Sequence, residues 1–261
     1  MELTKQINEL DFALLQSFST KLDRSWGTLF LNADQPDYYD ANHAYLNSQP
    51  EHPEKVIDEV LAFYRSYSIT PRFYLGDVDL LTSFIVQLKD KGFQYEEIPQ
   101  PIQLWNNKIT TLSIPEHVTV EKVNSTNYKE ASWVECQIKE FGGKAVREKA
   151  FETEFKDSRY THYLLKINGN PSSTACLFVH NKQGRIESVA TIEEFRGQGL
   201  IGFVLQQIQT EAREMKLEHL WVHPINEQVE KVYNRYGFAT IHTLQSGHAF
   251  LDGKSIKEIR D

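Results

Sequence analysis

The stretch Val189-Ala190-Thr191-Ile192-Glu193-Glu194-Phe195-Arg196-Gly197-Gln198-Gly199-Leu200-Ile201-Gly202-Phe203-Val204-Leu205 decides how this chain folds. It spells a β-prone run, a short loop with two closely spaced glycines, and the start of an amphipathic helix. A helix N-terminus entered through such a loop points backbone N–H groups outward with the helix dipole behind them. That arrangement binds phosphate or pyrophosphate. Glycine suits the loop because a Cβ would hold ligand oxygens away from the backbone.

The run Gly197-Gln198-Gly199-Leu200-Ile201-Gly202 also spells GxGxxG, but its context is wrong for a dinucleotide fold. There the strand enters the first glycine directly and the next strand ends in an acid. Here Ile192-Glu193-Glu194-Phe195-Arg196 intervenes, and the next strand ends in Trp221-Val222-His223-Pro224.

Downstream, Ile201, Val204, Leu205, Ile208, Ala212 and Met215 recur at helical spacing, predicting one buried face over 199–216. A short strand over 217–222 follows. Asn226 then caps a helix carrying Val229, Val232, Tyr233 and Tyr236 on one side, stopped at Gly237, before two short strands at 238–244 and 248–251. Upstream, 161–167, 173–180 and 185–192 read as an antiparallel meander with turns at Asn168-Gly169-Asn170-Pro171 and Asn181-Lys182-Gln183-Gly184. Helical stretches at 126–141 and 146–155 and a strand at 118–123 precede it.

The loop and the closing helix resemble the two signatures of the GNAT superfamily of N-acetyltransferases. The loop fits (Gln/Arg)-x-x-Gly-x-(Gly/Ala) at Arg196, Gly199 and position 201, where Ile201 replaces the small residue and Gly202 follows it. The second signature is Asn226 with Val232-Tyr233 and Gly237-Phe238. The resemblance covers roughly 116–261. It implies an α/β GNAT fold, a mixed and mostly antiparallel sheet flanked by helices, binding acetyl-CoA as co-substrate without a metal. The backbone of Val189, Ala190 and Thr191 would then pair with the pantetheine arm. The N–H groups of Gly197, Gln198, Gly199, Leu200, Ile201 and Gly202 would hold the pyrophosphate, beside Arg196. Asn226 would line the channel, and Tyr233 would be general acid for the departing thiolate. Ile201 either turns into the core with its helical face or shifts the loop by a residue.

Acetyl transfer to an amine also needs a base for the ammonium proton. Glu187, on the strand leading to the loop, is the first candidate and His223 the second. A rival reading of the same signatures is a non-catalytic acyl-CoA-binding or regulatory module in which Tyr233 only packs.

The N-terminal half repeats the closing pattern more faintly. Val86-Gln87-Leu88-Lys89-Asp90-Lys91-Gly92-Phe93 aligns with Lys231-Val232-Tyr233-Asn234-Arg235-Tyr236-Gly237-Phe238, with Leu88 where Tyr233 stands. A strand at 27–31, a helix at 54–67, a strand at 71–75 and a helix at 79–91 lead to it. The helix from Glu54 follows Ser48-Gln49-Pro50-Glu51-His52-Pro53, which has no glycine loop. The expectation is a tandem chain: residues 1–112 a smaller, degenerate GNAT-like domain with an acceptor-site or structural role, and 113–261 the catalytic domain.

Composition limits the alternatives. The 261 residues carry a net charge of −8, and residues 1–115 hold 9 Lys+Arg against 16 Asp+Glu. An acidic surface disfavours nucleic acid, leaving a small-molecule amine as acceptor and the oligomeric state open. The acids and rings of Asp34, Asp37, Tyr38, Tyr39 and Asp40 would suit a cationic amine, or a structural turn. No apolar run is long enough for a membrane span. Glu2, Glu9 and Asp11 sit where a signal peptide would be apolar, so a cytoplasmic location is expected. Cys136 and Cys176 lack metal or disulfide spacing and read as buried neutral thiols. His219 and His223, on a strand, stand about 13 Å apart, too far for a metal pair.

Overall fold

In the computed structural model, which describes residues 2–260, the chain opens with α1 (Glu2–Phe18), β1 (Thr20–Arg24), β2 (Gly27–Leu31) and β3 (His43–Leu46). It continues through α2 (Pro53–Ser66), β4 (Arg72–Leu75), α3 (Thr82–Asp90) and the long β5 (Gln94–Trp105). Then come β6 (Val118–Lys122), α4 (Tyr128–Cys136), α5 (Lys144–Lys156), β7 (Tyr160–Ile167), β8 (Asn170–His180) and β9 (Gln183–Thr191). The chain closes with α6 (Ile201–Glu214), β10 (His219–Val222), α7 (Glu227–Arg235), β11 (Phe238–Phe250) and α8 (Ile256–Arg260).

Two compact units emerge. One joins the residues up to Leu14 to Pro101–His242; the other joins Leu15–Gln100 to the segment from Thr243 onward. The residues of α1, β5 and β11 are divided between the two units.

The first unit is a mixed, mostly antiparallel sheet flanked by helices. Its strands β6, β7, β8 and β9 are antiparallel neighbours, as the alternating meander required. The α6 crossover then makes β10 parallel to β9, from His219↔Gln183 to Val222↔Ile186. One face buries Val204, Leu205, Ile208 and Ala212 of α6 with Leu177, Ile186, Leu220 and Val222. Each large aliphatic side chain so buried is worth roughly 1.5–3 kcal/mol. The other face packs Ala131 and Val134 of α4 and Phe151 of α5 against Leu164 and Ala190. The far end of β5 enters this unit, pairing Leu104 with Trp221 and Gln103 with Val222 antiparallel.

The second unit repeats that order. Strands β1, β2 and β3 are antiparallel, and the α2 crossover makes β4 parallel to β3. Here the strand received is the end of β11, antiparallel to β4 from Gly247↔Leu75 to Phe250↔Arg72. The core holds Val56, Ile57 and Val60 of α2 and Phe84, Ile85 and Leu88 of α3 around Phe73 and Leu75. Thus β1-β2-β3-α2-β4-α3-β5 matches β7-β8-β9-α6-β10-α7-β11 element for element, and the last strand of each series pairs beside the other's parallel pair.

The Asp34 to Asp40 segment belongs to the scaffold of this second unit. Tyr74 Oη donates to Asp40 Oδ1 at 2.8 Å, and the Arg72 guanidinium lies 3.3 Å from the Tyr39 ring centre. Among the described residues no helix is long and apolar enough to cross a membrane, and no three His, Cys, Asp or Glu residues gather as a metal site. Cys176 is buried, and burial raises its thiol pKa well above the ordinary value; Cys136 is only half-buried.

Candidate active site

The site is built on the divergence of two parallel strands. The β9–β10 register stops at Ile186↔Val222, while β9 runs on through Thr191. Beyond that point β9 is held on its other edge by β8, with Ala190 opposite Thr174 and Thr191 opposite Ser173. The register slips between Thr174 and Cys176, where Ser188 takes φ 50°. An extra residue at such a bulge flips the alternation of side chains. Glu187 and Ala190 thereby share a face: Glu187 sits opposite Cys176, and Ala190 packs against α4.

The glycine loop follows a 3-10 turn over Glu193–Phe195. Gly197 and Gly199 have φ 78° and 72°, and a Cβ on either would meet nothing within 4 Å. Left-handed backbone and open space at both positions make the cradle a phosphate needs. Arg196 Nε donates to the Thr191 carbonyl at 3.0 Å, tying the loop to the end of β9, and Gln198 Nε2 reaches the Glu194 carbonyl at 3.4 Å. Leu200 is buried and Ile201 packs against the same core, so Ile201 turns inward with its helical face. Gly202 differs from the other two glycines. Its N–H donates to the Gly199 carbonyl at 3.0 Å, and a Cβ there would stand 2.5 Å from the Tyr236 ring.

Asn226 caps α7 as its sequence position predicted, its Oδ1 accepting from Val229 N–H at 2.9 Å. Two helical turns on from Asn226, Tyr233 is buried and stands edge-on to Phe238, with centroids 5.8 Å apart. Burial chiefly, and the Glu187 charge secondarily, raise its phenol pKa well above the ordinary value. Burial also raises the Glu187 carboxyl, by more than its partner Arg185 lowers it. His223 follows β10, and burial with the Arg185 charge lowers its pKa to about 4, so it stays neutral near pH 7. Glu187, Tyr233 and His223 therefore belong to one electrostatic neighbourhood.

The sequence did not point to Arg185 or Asp11. Arg185 Nε donates to Glu187 Oε1, and Arg185 Nη1 donates to Asp11 Oδ1. Asp11 arrives on α1, whose Ile7, Leu10, Ala13 and Leu14 are buried. That helical spacing was the available signal, and it places α1's first turns in this unit. Behind Glu187 lies a buried set: Arg147 bridges Glu135 at 2.6 Å and Glu154 at 2.5–2.8 Å, with His162 within 3.8 Å of both carboxylates.

Residues 128–238 match the sequence profile of the Acetyltransferase (GNAT) family. No curated protein matches the sequence. Among solved structures, a functionally unknown conserved protein from Staphylococcus epidermidis is similar at TM-score 0.69 and 15% identity, over 89% of this chain and 93% of that one. A GCN5-related N-acetyltransferase from Kribbella flavida gives TM-score 0.68 and 16% identity over 97% of both chains. A tandem GNAT protein from the clavulanic acid biosynthesis pathway gives 0.54 and 12%, over 82% of this chain and 76% of that one. At these identities the likeness speaks to fold.

Proposed function

We propose that this chain, whose residues 128–238 match the GNAT acetyltransferase profile and whose fold is similar to that of a tandem GNAT protein, moves an acetyl group from acetyl-CoA to a small primary amine by direct attack. The observation carrying this reading is that β9 outruns β10 and leads, through the 3-10 turn at Glu193–Phe195, to the Gly197–Gly199 cradle. Acetyl-CoA bound there supplies an activated acetyl thioester.

In this reading the backbone of Val189, Ala190 and Thr191 pairs with the pantetheine arm as an added strand does. The N–H groups of Gly197, Gln198, Gly199, Leu200 and Ile201 hold the pyrophosphate; that of Gly202 is already committed to Gly199. Glu187 takes the proton of the attacking ammonium, helped by the burial that raises its proton affinity. Tyr233, kept protonated by burial, gives its proton to the sulfur as the carbon–sulfur bond breaks and the carbon–nitrogen bond forms. One proton is accepted and one donated per turnover, and solvent restores both groups. Neutral His223 adds no positive charge to repel the ammonium. The unit with Leu88 in the place of Tyr233 serves a structural or acceptor-shaping role, and the protein works in the cytoplasm.

The test is a panel of primary amines with free CoA release as readout, alongside calorimetry of acetyl-CoA. Gly199→Val should bind acetyl-CoA at least about tenfold more weakly, because a branched side chain at this backbone conformation fills the cradle. Undiminished affinity in the folded variant overturns the cofactor site. Tight binding without turnover on any amine assigns the chain to the non-catalytic module instead.

A further inference from the structure

A carboxylate on the buried stripe of α1 calls for a reason. Asp11 lies four residues after Ile7 and three before Leu14, on the side of the helix that those residues bury, and its side chain is only 29% exposed. Desolvating a carboxylate there is unfavourable unless it is paired. Its partner, Arg185, is itself 15% exposed and holds Glu187 through a different nitrogen. The guanidinium is a rigid planar fork, so a carboxylate fixed on Nη1 constrains what Nε can hold.

We propose that Asp11 is a positioning residue for the acetyl transfer: by occupying Nη1 of Arg185 it fixes the orientation of Glu187 and limits how much of the guanidinium charge that carboxylate receives. The inference rests on the reading of Glu187 as the base. With Asp11 present, one cation is shared by two anions, and Glu187 keeps more affinity for a proton than it would have in a private pair. The charged or titratable groups acting on Glu187 are Arg185 on its own strand, Asp11 on α1 and Glu154 on α5. Cys176 on β8 and Tyr233 on α7 feel the Glu187 charge in turn, and His223 after β10 feels Arg185 and Asp11. Of these, only Asp11 competes directly for the Arg185 guanidinium.

The experiment uses the full chain with Asp11→Asn, Asp11→Glu and Glu187→Gln. The Glu187 proton affinity is followed by carboxyl-carbon NMR, its resonance assigned by its loss in Glu187→Gln, and kcat/KM is followed against pH. In Asp11→Asn the Glu187 titration and the acidic limb of kcat/KM should both move down by about half a pH unit or more, with Asp11→Glu returning them toward wild type. A uniform loss of activity with an unmoved Glu187 titration overturns the proposal, because packing alone would produce it. If Glu187→Gln keeps full kcat/KM, the base reading fails on its own, whatever the NMR titration shows for Asp11.

Discussion

Tyr236 lays its ring over Gly202: a Cβ on that glycine would come 2.5 Å from Cε1 and the hydroxyl oxygen and 2.6 Å from Cζ. Gly202 therefore keeps α6 and the end of α7 in contact, a packing role distinct from the loop glycines ahead of it. Gly202→Ala should destabilise the protein by about 1–3 kcal/mol, the usual range for overpacking. The loss should be smaller in a Tyr236→Leu background, because the two residues share one contact. Thermal unfolding of the four proteins measures this, and additive shifts would contradict it.

Tyr233→Phe separates packing from chemistry. The phenyl ring keeps the edge contact with Phe238, so the melting temperature should barely change. The proton donor is lost, however, and kcat should fall on the order of a hundredfold with little effect on KM for acetyl-CoA. Steady-state kinetics decide the matter. A fall below about threefold would leave Tyr233 a core residue, since general acid catalysis contributes far more.

Acid sensitivity should trace in part to His43. The ring is fully buried, stacked on Tyr74 with centroids 4.2 Å apart and tilted against Phe30 at 5.0 Å. Burial lowers its pKa from 6.5 to about 4, against a smaller opposing effect of Asp40. A folded-state pKa below the unfolded one means the stability is fully present above about pH 6.5 and drains away as pH falls towards 4. Its full size is on the order of 3 kcal/mol. His43→Phe should flatten the fall of stability over that interval in urea titrations. An unchanged slope would assign the acid lability to other groups.

Local pattern carried the first unit well, because the β7 to β9 meander, α6 and α7 each bury one face and so print their period on the sequence. What escaped was non-local. The expected pair of strands at 238–244 and 248–251 is one strand, β11, in which Gly247 is demanded by packing: a Cβ would stand 2.8 Å from the Tyr95 ring. The exchange of β5 and β11 between the units leaves no periodic mark, and neither does the bulge at Ser188 that turns Glu187 onto its face. Strands β1 and β3 are short and flanked by polar residues, so their propensity signal is weak. Of the candidate site, the glycine loop and the Asn226 cap were legible in residue spacing, whereas the part proposed for Tyr233 came from the family resemblance. Asp11 was not legible, because its meaning depends on Arg185, 174 positions away.

The last prediction concerns the number of acetyl-CoA molecules per chain. In the first unit β9 continues past its last pairing with β10, whereas in the other unit β3 ends with its pairing to β4, closed by the Gly76 N–H donating to the Leu46 carbonyl at 2.7 Å. No stretch of β3 outruns its parallel partner to receive a pantetheine arm. The following helix, α2, starts with Pro53, which lacks an N–H in the first turn where a phosphate would seek donors. Leu88 is buried in the core at the position equivalent to Tyr233. Calorimetry should accordingly give one acetyl-CoA per chain, and Leu88→Tyr should not create a second site, since the strand and loop deficits remain. Two equivalents bound by the wild-type protein would show that the second unit retains a cofactor site, and its assignment as degenerate would have to be withdrawn.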